Sequence, residues 1–231
     1  ALPVSAGTNP VTNGLILYLN ASSYSGSGNT WSDLSTQNNN ATLTNNPTFS
    51  FTSPKSFTIS ANKYALTSNI ISSLSTATFI AWVNPSQIQA TYTGLIFSRS
   101  PNSGATAPAT GLNFYTNNSI GYSWNDNPSS YNWDSGLQAT VGAWSMIAVT
   151  ISATSATAYL FNASNPAGLS STNTVSHASL TGLKFYVGAD PLDLNTRAFL
   201  GKMGTAMVYT NALTQADIAS IFNAQKSTFG L

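Results

Sequence analysis

The sequence predicts an all-β fold, two antiparallel sheets packed as a sandwich with one short C-terminal helix. Three observations carry this. Apolar-rich runs recur along the chain, each bounded by Asn, Gly, Pro or Ser. Five Trp, ten Tyr and eleven Phe supply a packed interior although only 6% of residues are charged. Helical spacing shows in one place only, at Ile218, Ile221 and Phe222, behind a Thr214-x-x-Asp217 start that approximates a capping box.

Taken in order, residues 1–13 read as an extended arm, with two prolines and no periodicity. Strand-like runs follow at Leu15–Leu19, Ser56–Ile59, Thr78–Val83, Gly94–Ser98, Leu112–Tyr115 and Ile120–Trp124. They continue at Ala143–Ile151, Thr157–Phe161, Leu183–Val187 and Met203–Tyr209. Thr78–Val83 is β-branched or aromatic at nearly every position, which suits a strand covered on both faces. No linker-like shift in composition divides residues 14–231, which read as a single domain.

Composition removes whole classes of function. The seven Lys and Arg are scattered and the net charge is +1, so nothing could neutralise a run of phosphates and no nucleic-acid partner is expected. No run of about 18 apolar residues exists, so no membrane insertion is expected either. Without cysteine there are no disulfides, thiol nucleophiles or thiolate metal sites. The six acidic residues are all aspartates: Asp33, Asp126, Asp134, Asp190, Asp193 and Asp217. Glycoside hydrolysis uses a close pair of carboxylates, so a chain with no glutamate and few aspartates offers little for it. His177 has no second histidine or cysteine to share a zinc ion. Four glycosylation sequons, at Asn20, Asn40, Asn117 and Asn162, are what chance supplies in so Asn-, Ser- and Thr-rich a chain.

Several stretches resemble a known family. Asn13-Gly14-Leu15-Ile16-Leu17-Tyr18-Leu19-Asn20, then Trp31-Ser32-Asp33-Leu34, Ala77–Pro85, Gly142–Thr150, Phe199-Leu200-Gly201-Lys202-Met203 and Val208–Thr214 fall in the order of concanavalin A-like (laminin-G-like) jelly-roll domains. The resemblance covers roughly residues 13–224 and is closest in style to the phage and large-virus structural versions. It implies a jelly-roll sandwich on an extracellular or virion surface. Two departures stand out. Gly204 and Thr205 occupy places where the family often carries an acidic pair, and the legume-lectin metal site is not recognisable. The glutamate pair of laminarinase-like relatives is also missing.

Two segments are candidate sites. Tyr122, Trp124, Asn125, Asp126, Tyr131, Asn132, Trp133 and Asp134 lie within 13 residues around a proline turn. Sugar rings present apolar faces to aromatics, while their hydroxyls need amide and carboxylate partners. The alternative is a hairpin whose rings pack inward while Asn and Asp form the turn. In the second segment, Gly188–Arg197, Asp190, Asp193 and Asn195 supply part of the oxygen shell that calcium wants. Here the alternative is an ion pair from Arg197 to either aspartate. Asp33 is expected to cap a turn beneath Trp31.

These readings point to a non-catalytic carbohydrate-binding or adhesion module, not an enzyme, with a cell-surface or extracellular glycan as partner and calcium as the candidate cofactor. The alternative is a structural capsid, fibre or filament subunit, assembling as a homo-oligomer through its sandwich and N-terminal arm.

Overall fold

Alternation within Phe79-Ile80-Ala81-Trp82-Val83 sends Phe79, Ala81 and Val83 to one side of their strand and Ile80 and Trp82 to the other. Both sets meet apolar partners, so the strand is covered on both faces as expected. The computed structural model describes residues 9–100 and 104–231. In chain order the strands are β1 (Leu15–Asn20), β2 (Thr30–Trp31), β3 (Ala41–Thr44), β4 (Thr48–Ser50), β5 (Ser56–Ile59), β6 (Tyr64–Thr67), β7 (Ile71–Leu74), β8 (Ala77–Pro85) and β9 (Thr93–Ser98). They continue as β10 (Thr110–Phe114), β11 (Ile120–Ser123), β12 (Ser145–Ile151), β13 (Ala156–Asn162), β14 (Leu169–Asn173), β15 (Leu180–Leu183), β16 (Tyr186–Val187) and β17 (Gly201–Tyr209). Helix α1 (Pro128–Tyr131) follows β11, and α2 (Gln215–Gln225) follows β17.

One sheet runs β14-β13-β12-β8-β17-β5-β4, with β1 also paired to β17; the facing sheet runs β11-β10-β9-β16-β6-β3-β2. Strands β7 and β15 form a separate ribbon. The strand β17 is shared. Along one edge it pairs with β8, and along the other it pairs with β5 through Gly201–Met203 and with β1 through Thr205–Tyr209. The register shifts at the changeover, Gly204, where an added Cβ would collide with the Phe229 ring. The glycine at this position therefore admits an aromatic ring.

Between the sheets lies the main core, built on Trp31, Phe57, Phe79, Leu112, Phe114, Tyr122, Phe185 and Phe199 among others. A second core covers the outer face of the β8 sheet, beneath α2 and Phe229. There Trp82 stacks on Phe229 at 4.0 Å and 10°, and its indole N–H donates to Gln225 Oε1 at 2.7 Å. The expected capping box starts α2. Thr214 accepts from the Asp217 N–H, while the Asp217 carboxylate accepts from the Thr214 N–H at 3.0 Å. Of the expected arm, residues 1–8 lie outside the described residues, and Asn9 and Val11 are held by the Tyr209 hydroxyl.

Strands such as β14 (Leu-Ser-Ser-Thr-Asn) escape the sequence because they are short, polar and half exposed. The expected strand Leu183–Val187 is interrupted. The N–H groups of Lys184 and Phe185 donate to the hydroxyls of Ser98 and Thr67 instead of to a ladder. Asp33 caps its turn as expected, accepting from the N–H groups of Tyr18, Ser35 and Asn39. No helix among the described residues is long and apolar enough to cross a membrane.

Candidate functional site

The two candidate segments meet. Asp126 and Tyr131 from the first and Asp190 and Arg197 from the second line one cleft of about 230 Å³, with Tyr92, Arg99, Ser123 and Leu192. Strand β9 delivers Tyr92 just before its start and Arg99 just after its end. It approaches the second segment so closely that a Cβ on Gly94 would collide with the backbone of Ala189 and Asp190.

Asp190 anchors the floor. Its side chain is fully buried, and Arg99 reaches it with two N–H donors, Nε to Oδ1 at 2.9 Å and Nη2 to Oδ2 at 3.0 Å. Arg197 Nη1 adds a bond to Oδ2 at 2.9 Å, and the Leu192 N–H donates to Oδ1 at 3.0 Å. Fork-shaped guanidiniums suit this bidentate task. Their side chains stay 18% and 25% exposed, so positive charge reaches the cleft.

Tyr92 forms a wall. The Arg197 guanidinium lies 5.0 Å from its ring centroid, its hydroxyl donates to Asn132 Oδ1 at 2.8 Å, and Tyr131 meets it edge-on at 6.0 Å. Burial, with Tyr115 and Tyr131 nearby, raises the Tyr92 hydroxyl above its usual pKa, so it remains a donor at neutral pH. Asp126 lines the cleft from the turn Asn125-Asp126, both residues at φ 54°, which short amide and carboxylate side chains tolerate. Asp126 and Asn125 are exposed, and the Asp126 side chain has no ion-pair partner among the described residues.

Other expected binding residues sit elsewhere. Tyr122 and Trp124 are buried in the main core, as Ile120-x-Tyr122-x-Trp124 alternation requires, and Trp133 packs edge-on against Tyr122. Ser123, between them, faces the cleft instead. Behind this wall His177 accepts from the Tyr122 hydroxyl at Nε2 (2.9 Å) and donates from Nδ1 to the Ser152 carbonyl (2.8 Å). Burial lowers the His177 pKa and pushes Tyr122 up to about 12. Asn132 supports Tyr92, and Asp134 accepts from Ser119 and the Gly136 N–H to hold a turn.

Each residue of the expected calcium shell has a different protein partner. Asp190 takes the two arginines, as the ion-pair alternative anticipated. Asp193 accepts from the Thr196 hydroxyl and from the N–H groups of Thr196 and Asn195, which lowers its pKa. Asn195 Oδ1 accepts from Asn62. Among the described residues no group of three or more His, Cys, Asp or Glu is placed to hold a metal ion.

Solved structures similar to this chain share its fold. Domain 4 of AbnA, a GH43 extracellular arabinanase from Geobacillus stearothermophilus in complex with arabinotriose, is 17% identical with a TM-score of 0.61, over 91% of this chain and 99% of that one. Trypanosoma rangeli sialidase in complex with sialic acid is 16% identical with a TM-score of 0.63; the match spans 96% of this chain but 34% of that one. A GH54 α-L-arabinofuranosidase soaked with a cyclic sulfate inhibitor is 9% identical with a TM-score of 0.61, over 87% of this chain and 50% of that one. No curated protein sequence matches the chain. The expectation of a non-enzymatic adhesion module or structural subunit is corrected by these neighbours. They are glycoside hydrolases or domains of them, and what they share with this chain is the fold. The family model of the concanavalin A-like lectin/glucanases (Laminin_G_3) matches residues 59–219, well over half of the sequence, and the chain belongs to that superfamily.

Proposed function

We propose that this chain serves carbohydrate processing of the glycoside-hydrolase kind and takes a glycan into the cleft between Tyr92, Tyr131, Asp126 and the Arg99–Asp190–Arg197 group. The observation that carries the reading is the cleft itself. Aromatic and aliphatic wall stands beside polar groups fixed by a buried ion pair, the mixture that engages a sugar ring and its hydroxyls together. The arabinotriose and sialic acid held by two of the neighbours support a glycan as the occupant. Among the described residues Asp126 is the cleft carboxylate whose side chain accepts no hydrogen bond, and one half of the acid–base pair on a bound glycosidic bond falls to it, since both oxygens of Asp190 accept from arginine.

The test is calorimetric titration with arabinotriose and with N-acetylneuraminic acid, run beside reducing-end release from arabinan and sialyllactose. Binding that is weakened at least tenfold by Arg197→Ala supports the cleft; wild-type protein that binds neither sugar overturns it. In Asp126→Asn, loss of release with retained binding assigns chemistry to Asp126, whereas loss of both assigns it to holding the glycan.

A further inference from the structure

We infer that Tyr92 is the residue that decides what this cleft accepts, a single sugar unit whose apolar C–H surface packs on the Tyr92 ring. The inference rests on the glycan reading and adds to it the selecting residue and the size of the occupant.

The backbone supplies the first argument. Tyr92 has φ 66°. The other non-glycine residues in that region, among those described, are Asn38, Asn45, Asn46, Asn62, Asn117, Asn118, Asn125 and Asp126, all with short polar side chains that tolerate it. A bulky aromatic there is an outlier, and such strain persists at ligand clamps where the surroundings over-determine it.

Those surroundings are the second argument. The ring is fixed by the Arg197 guanidinium, by the bond to Asn132, and by Tyr131 and Tyr115 at 6.0 and 5.7 Å. Arg197 is fixed in turn by Asp190. An asparagine or glycine would make the same turn without strain, so the turn does not call for a tyrosine. What the tyrosine adds is a rigid apolar surface in the cleft, continued by Leu192, which is 57% exposed.

Size is the third. At about 230 Å³ the cleft falls below the roughly 300–1,000 Å³ of pockets that enclose drug-sized ligands. That size suits a single sugar ring with its substituents.

Three variants test this, each titrated with arabinotriose and with N-acetylneuraminic acid and each melted without ligand. Tyr92→Gly and Tyr92→Ala are expected to lose at least tenfold in affinity, while Tyr92→Phe, which keeps the ring, stays within threefold of wild type. Tyr92→Gly is expected to melt about 2–4 °C above Tyr92→Ala, because only glycine relieves the left-handed backbone. If wild type binds and Tyr92→Gly binds equally well, Tyr92 does not select the ligand and the inference fails while the glycan reading stands. If Tyr92→Gly melts no higher than Tyr92→Ala, the strain argument fails. If wild type binds neither sugar, the glycan reading falls and takes the inference with it.

Discussion

Two aromatic groups, one around Trp82 and one around Tyr92, use similar parts for opposite ends. Trp82 is fully buried, stacks on Phe229 and Phe222, and has its one polar atom satisfied by Gln225. Its strand backbone is regular. Tyr92 is half-exposed, sits on a left-handed backbone, and is held by a cation that a buried carboxylate fixes in turn. Burial on a relaxed backbone stabilises the fold, whereas partial exposure on a strained one leaves a surface for something else to cover. The stacks cannot be told apart by residue type; backbone and exposure separate them.

The largest effect expected from breaking this contrast is at Trp82→Ala. Removing a fully buried indole beneath α2 should cost about 3–5 kcal/mol by thermal or denaturant unfolding, with glycan affinity unchanged below the melting transition. A parallel loss of affinity would mean that the two groups are coupled. Asp190→Asn comes next. It leaves two largely buried guanidiniums facing an amide, and about 2–4 kcal/mol of destabilisation is expected together with weaker sugar binding. A variant that unfolds more easily but binds normally would show the ion pair to be scaffold alone. Thr214→Ala removes one side of the capping box and should cost about 1 kcal/mol, confined to the Trp82 side.

The smallest effect is one of pH. Burial depresses the folded-state pKa of His177, so the unfolded chain binds the extra proton first. The stability it contributes is fully present above the unfolded value of about 6.5 and is lost as pH falls from there towards the folded pKa. The groups facing the imidazole are the Tyr122 hydroxyl, the Ser152 carbonyl and the Trp124 ring, none of them charged. Melting curves between pH 7 and 5 should show this slope, and His177→Gln should flatten it.

Much of the Trp82 side was legible in the sequence. The alternation through Phe79–Val83 and the Thr214–Asp217 start are local patterns, and each produced the expected element. The cleft was legible only in part. Asp126, Tyr131 and Asp190 stand out in the sequence by their chemistry, and Arg197 as a partner for an aspartate. Ser123 and Leu192 lie inside the two candidate segments but carry no signal of their own, and Tyr92 and Arg99, at the two ends of β9, belong to neither segment. Residue type makes Tyr122 and Trp124 candidate ligand contacts, but their period-two spacing with Ile120 favours the alternative, an inward face, which is where they lie. The arginine pair also had no local signature, because Arg99 and Asp190 are brought together only by the packing of β9 against the second segment.

The shared strand β17 has a consequence for how the molecule is made. β8 is paired with β12 along one edge, but its other edge waits for β17, which is synthesised more than a hundred residues later. β1 and β5 also have β17 as a partner, and β1 has no other within its sheet. On the ribosome, then, the first half of the chain emerges with open strand edges that nothing yet synthesised can close. Folding is expected to be slow and nearly all-or-none, completed when residues 201–209 become available, with exposed edges vulnerable to mispairing until then.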